Sequence, residues 1–188
     1  MSALPNLLTL ARIALAPYVA WLMATGHARA GLYWLIAVGL TDILDGFLAR
    51  RFGWTSAAGA YLDPVADKVL AVSVFLALGF ARAIPWWLVA IVFGRDVLIL
   101  LVAGLFLAFT RVRGFVPSVW GKLSTFCQLT TAGFGIGNLA YPELGVGWIV
   151  NALVWVAAAA TLWSGLHYLW RVLENRGHRG QTGRSPVS

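Results

Sequence analysis

The stretch "TDILDGFLARRFGWTSAAGAYLDPVADK", Thr41–Lys68, holds Asp42, Asp45, Asp63 and Asp67, four of the seven acidic residues of the chain. The first two are three positions apart and the last two are four apart, so each pair shares one face of a helix. Between them runs the short connection "RRFGWTSAA". A connection that short makes the two helices antiparallel neighbours. The four carboxylates are therefore expected at one depth, near the end of one helix and the start of the next.

The surroundings are apolar. Of 188 residues, 60% are hydrophobic, ten are Trp and only 11% are charged. Soluble domains are about 45–50% apolar, so the composition points to an integral membrane protein. About 20 apolar residues cross a bilayer as a helix. Six such runs are predicted: Leu10–Thr25, Gly31–Leu48, Ala57–Phe80, Ile84–Phe109, Trp120–Ala140 and Trp148–Trp170. Their Gly- and Ala-interrupted apolar character, without polar alternation, predicts an all-α bundle rather than a β-barrel. Residues 1–172 form the expected membrane domain. Residues 173–188, which include "ENRGHRGQTGRSPVS", read as a basic, disordered cytoplasmic tail.

The cations set a direction. Arg50 and Arg51 follow the second run, and Arg111, Arg113 and Lys122 lie between the fourth and fifth. Arg171, Arg176, Arg179 and Arg184 follow the sixth, whereas the opposite connections hold only Arg29 and Arg82. The positive-inside rule puts both termini, and the acidic cluster, on the cytoplasmic side. The formal charge of +7 is a topology signal and an attraction to anionic lipid. Scattered over loops of a bundle, it does not describe a nucleic-acid surface. "MSALPNLL" has no basic leader, so a cleaved signal peptide is not expected. Cys127 is the single cysteine, which excludes an internal disulfide and a cysteine-based metal site. His27, His167 and His178 are far apart in sequence and read as interfacial or solvated. "GFGIG" at 133–137 offers one G-x-x-x-G spacing for close helix approach, as chance also would.

Four carboxylates gathered in low dielectric need neutralising, coordination or hydration. Arg50 and Lys68 supply part of the charge. Ligands that are all oxygen suit hard divalent ions, and a carboxylate-held Mg2+ keeps places for phosphate oxygens. Gly46, Ala49 and Gly59 clear space beside the acidic faces. Together these features point to a phosphate-bearing substrate at the membrane face. Two other readings stand beside it: structural pairing of each Asp with an Arg or backbone group, and an ion or proton path. The tight grouping beside a basic loop, and the small number of helices, argue against transport.

Written out, the pattern is Asp42-x2-Asp45-Gly46-x2-Ala49-Arg50-x8-Gly59-x3-Asp63-x3-Asp67. It resembles the signature of the CDP-alcohol phosphotransferases at every defined position. The resemblance covers nearly the whole chain. It implies six transmembrane helices, often preceded by a short interfacial helix, and a homodimer. It also implies transfer of a phosphoryl-lipid group from a CDP-linked donor to an alcohol, with CMP leaving and two divalent ions, Mg2+ or Mn2+, at the acids. By that resemblance Asp42, Asp45 and Asp63 are metal ligands. Asp67 is the general base for the acceptor hydroxyl and a further ligand. Gly46, Ala49, Arg50 and Gly59 shape the cytidine and diphosphate pocket, Arg50 having a plainer role as a snorkelling interface cation.

Two further segments bear on the substrates. "LPNLLTLARIALAP", Leu4–Pro17, resembles the start of the phosphatidylglycerophosphate synthases and of the eukaryotic-type cardiolipin synthases, both users of CDP-diacylglycerol. Asn6 and Thr9 would then meet the nucleotide end, or simply cap and bond within the helix. In "GRDVLIL" the pair Arg95-Asp96 stands where glycerophosphate enzymes typically have Arg-Glu. That pair looks more like the CMP-forming cardiolipin synthases, with phosphatidylglycerol as acceptor in place of glycerol 3-phosphate. "GKLSTFCQL" at 121–129 fits either group. Arg95, Arg111, Arg113 and Lys122 are the expected contacts for an anionic acceptor, although Arg95 and Asp96 could pair with each other. The implied setting is a bacterial-type inner membrane, crossed several times, with the site facing the cytoplasm.

Overall fold

The structure, a computed structural model, describes the backbone of residues 3–52, 57–109 and 119–177. Side chains at 3–6, 42, 43, 45–50, 52, 57–61, 63, 64, 103, 105–109 and 172–177 lie outside the described residues. Six α-helices follow one another: α1 (Ala3–Ala24), α2 (Ala28–Phe52), α3 (Ala57–Phe80), α4 (Trp86–Phe109), α5 (Val119–Ala140) and α6 (Gly147–Gly177). A single 3-10 turn, Pro142–Leu144, precedes α6, and no strand occurs among the described residues. The helices coincide with the six apolar runs. Their ends differ: α1 starts at Ala3, ahead of the apolar run, and α6 continues to Gly177, into the predicted tail. Residues 178–188 lie outside the described residues.

Among the described residues, two helices are long and apolar enough to cross a membrane, over Leu7–Ala24 of α1 and Gly147–Arg171 of α6; Ala28–Thr41 of α2 is a shorter apolar segment. The chain divides into two compact units, Met1–Val89 with Ala132–Asn151, and Ala90–Thr131 with Ala152–Ser188.

In the first unit α1 packs against both α2 and α3. Its buried positions are Thr9, Arg12, Ala16, Val19, Leu22 and Met23, which fall at three- to four-residue steps on one helix face. Gly26, at φ 87, makes the turn into α2. Gly31 then lets α2 close on α1, because a Cβ there would lie 2.7 Å from Met23 Cγ. Farther along, Arg29 ties the start of α2 to the end of α5. Its Nε donates to the Ala140 carbonyl at 2.8 Å, its Nη2 meets Glu143 Oε1 at 2.8 Å, and its guanidinium lies 5.0 Å from the Tyr141 ring centre. The hydroxyls of Tyr33 and Tyr141 are 2.7 Å apart. That bond is the main reason the Tyr141 phenol is raised above its ordinary value.

The second unit is held by polar side chains set into apolar helices. Gln128 Nε2 on α5 donates to Thr161 Oγ1 on α6 at 3.0 Å and to Ser124 Oγ at 3.3 Å. Ser124 Oγ also bonds Thr161 Oγ1 at 3.2 Å. Thr131 Oγ1 reaches the carbonyls of Cys127 and Leu153 at 2.8 and 3.2 Å. All four of these side chains are buried. In an apolar setting such bonds each contribute about 0.6 kcal/mol. They also fix the rotation of each helix against its neighbour, which apolar contacts specify poorly.

Candidate active site

Asp42 and Asp45 lie on α2, and Asp63 and Asp67 on α3. The expected helical pairs therefore sit on helices as the spacing required. The side chains of Asp42, Asp45 and Asp63 lie outside the described residues, as do those of Asn6, Gly46, Ala49, Arg50 and Gly59. Arg111 and Arg113 lie outside them altogether. Among the described residues no group of three or more His, Cys, Asp or Glu is placed to hold a metal ion.

Asp67 is described, and its surroundings are informative. Its carboxylate is 65% exposed. One oxygen, Oδ1, lies 3.4 Å from Arg12 Nη1, at the long end of the hydrogen-bonding range. Arg12, by contrast, is only 3% exposed. A fixed, enclosed cation on α1 thus faces an accessible carboxylate on α3. Sequence reading had not singled out Arg12. The signal was present: a charged residue inside an apolar spanning run demands a partner, and Thr9, Arg12 and Ala16 share the packing face. Thr9 is itself buried one turn before Arg12.

In the second unit Arg95 Nη1 pairs with Asp96 Oδ1 at 2.9 Å, and Nη2 donates to Ser164 Oγ at 3.0 Å. Both partners of the ion pair are nearly enclosed, at 15% and 13% exposure. The pairing of neighbours that the sequence allowed is therefore present. One donor, Arg95 Nε, is buried with no hydrogen bond. Gly165 lies beside this arginine; a Cβ there would be in ordinary contact, 3.6 Å from Arg95 Cγ. Lys122 is exposed near the start of α5. Of its neighbours, Thr125 bonds back to the Gly121 carbonyl at 3.1 Å, while Gln128 belongs to the buried network.

The described residues are helical, with two helices long and apolar enough to cross a membrane and the four Asp positions on two consecutive helices, which defines the class of helical membrane proteins. The family within that class follows from comparison. The family model of the CDP-alcohol phosphatidyltransferases matches residues 2–163. The chain belongs to that family, and it is a membrane-associated transferase of phospholipid synthesis. It is 36% identical over 188 residues to a probable phosphatidylglycerophosphate synthase of Mycobacterium tuberculosis, covering 95% of this chain and 86% of the other. It is 32% identical over 197 residues to a probable CMP-forming cardiolipin synthase of Drosophila melanogaster, covering 92% of this chain. This chain spans 60% of that fly protein's length. With the CDP-diacylglycerol–glycerol-3-phosphate 3-phosphatidyltransferase of Escherichia coli it shares 35% identity over 173 residues, 88% of this chain and 92% of the other.

Proposed function

We propose that the protein transfers a phosphatidyl group from CDP-diacylglycerol to phosphatidylglycerol, giving cardiolipin and CMP. The observation that carries the catalytic part is the exposed Asp67 carboxylate beside the buried Arg12. An acid placed so can meet a substrate hydroxyl while its own side chain is anchored. Asp67 takes the proton of the acceptor hydroxyl at a carboxylate oxygen. The hydroxyl oxygen forms the new bond to the donor's phosphatidyl phosphorus, and the bond from that phosphorus to CMP breaks.

Asp42, Asp45 and Asp63, with Asp67, would hold divalent ions. A donor set made only of carboxylate oxygens fits Mg2+ or Mn2+ and disfavours zinc or copper. Two such ions, when bound, neutralise the diphosphate and the charge building on leaving CMP. Gly46, Ala49, Arg50 and Gly59, with Asn6 and Thr9, line the donor pocket in this reading. The chain crosses a bacterial-type inner membrane six times as a homodimer, and the acids face the cytoplasm. The excess of Lys and Arg on that side supports the orientation.

For the acceptor, Arg95, Arg111, Arg113 and Lys122 supply positive charge. The Arg95-Asp96 pair favours phosphatidylglycerol, and the unused Nε of Arg95 supports a further anionic contact. A second reading has a specific observation behind it. The relatives from Mycobacterium tuberculosis and Escherichia coli, matched over most of their length, carry the glycerol-phosphate activity in their names. In that reading the acceptor is glycerol 3-phosphate. Purified protein given CDP-diacylglycerol and each acceptor in turn decides between them. CMP release with phosphatidylglycerol alone supports the first, and release with glycerol 3-phosphate alone replaces it with the second. An intramembrane cation transporter is not favoured by the family.

A further inference from the structure

We infer that Arg12 is the positioning residue for Asp67: a buried guanidinium on α1 that fixes the direction of the reacting carboxylate on α3. This rests on the reading of Asp67 as general base.

Arg12 is the one charged residue in the apolar span Leu7–Ala24. Placing a cation there is costly, and such residues are kept where they pair. Arg12 does not snorkel toward water. It lies on the face by which α1 packs, in line with Thr9, Ala16 and Val19, all buried. Its Nη1 points at Asp67 Oδ1, across 55 positions of sequence. The two side chains differ in freedom. The guanidinium is enclosed at 3% exposure, whereas the carboxylate is 65% exposed and little constrained by packing. The contact from the enclosed partner favours a rotamer in which the carboxylate stays accessible to the acceptor.

The neighbouring helix is suited to this. Ala66, just before Asp67, is wholly buried, so the backbone carrying the acid is itself held in the packed interface. A mispositioning of about 1 Å at a reacting group can cost on the order of 100-fold in rate. Lysine at position 12 would keep the charge but lose the planar fork that defines direction.

The test is a double-mutant cycle on full-length protein in detergent. CMP release is followed with CDP-diacylglycerol and whichever acceptor supports turnover, and CDP-diacylglycerol binding is measured separately. Arg12→Lys is expected to lower kcat by roughly 10- to 100-fold, with donor Kd within about threefold of wild type. In an Asp67→Asn background it should cause no further loss. Wild-type kcat in Arg12→Lys overturns the inference, as does a loss that multiplies with that of Asp67→Asn. Equal losses of rate and donor affinity also overturn it, by putting Arg12 on the donor. If Arg12→Lys shows no cooperative melt in detergent, Arg12→Gln carries the same test; if neither folds, Arg12 supports the fold and the positioning role is wrong. The Asp67→Asn arm is separate. Full turnover there removes the base reading itself, whatever Arg12 does.

Discussion

Arg12 with Asp67, and Arg95 with Asp96, use the same two residue types to different ends. In the second pair both side chains are nearly enclosed, the contact is 2.9 Å, and Ser164 takes another donor of the arginine. Its members are neighbours in sequence, so both sides of the pair stand on α4. In the first, the cation is enclosed, the acid is open, and the contact is a looser 3.4 Å between separate helices. A carboxylate committed to a short enclosed ion pair has little left to offer a substrate. One that stays 65% exposed can still react. By this contrast we propose Asp67 as the acid for chemistry and Asp96 as the acid for structure.

Replacing each acid by its amide is the sharpest way to break that contrast. Asp67→Asn should lower the rate of CMP release by about 10²–10⁴-fold, the usual worth of a general base. Its melting temperature in detergent should fall by less than that of the Asp96 variant, because the contact it weakens is longer and its carboxylate is exposed. Asp96→Asn should cost more stability and less of the rate. It leaves the Arg95 guanidinium enclosed without its carboxylate, at a cost of about 3 kcal/mol in thermal unfolding. Equal stability losses in the two variants would erase the distinction. Gln128→Leu removes the donor shared by Ser124 and Thr161, and about 1 kcal/mol of stability should go with it. The smallest effect is expected at Glu143→Gln, on the exposed ion pair with Arg29, at about 0.5 kcal/mol or less. A large effect there would mean that solvent exposure does not grade these pairs.

The helices were legible because apolar runs near bilayer length carry their own signal. The predicted Ala57–Phe80 is the observed α3 at both ends, bounded by the short connection before it and the turn at Arg82 after it. The ends of α1, α2 and α6 were harder. Polar residues extend those helices past the apolar run, and hydropathy falls before the backbone hydrogen bonds do. The acids were legible from their three- and four-residue spacing. Arg12 stands out as a charge in an apolar run, but its partner, 55 positions away, is not readable from spacing. Ser124, Gln128 and Thr131, with Thr161 and Ser164, also stand at three- and four-residue steps within their helices. That spacing predicts polar stripes. Pairing one stripe with another needs the packing of the helices, which one sequence does not specify.

The account's central claim is that carboxylates on α2 and α3 grip the donor's diphosphate through divalent ions while CMP leaves. Its most direct measurement is CMP release from CDP-diacylglycerol by chelator-treated protein, with acceptor present, as Mg2+ or Mn2+ is returned. We expect no release without the ion, recovery with it, and no recovery in Asp42→Asn or Asp63→Asn. Release at the full rate after chelation, or undiminished release from either variant, would contradict the claim.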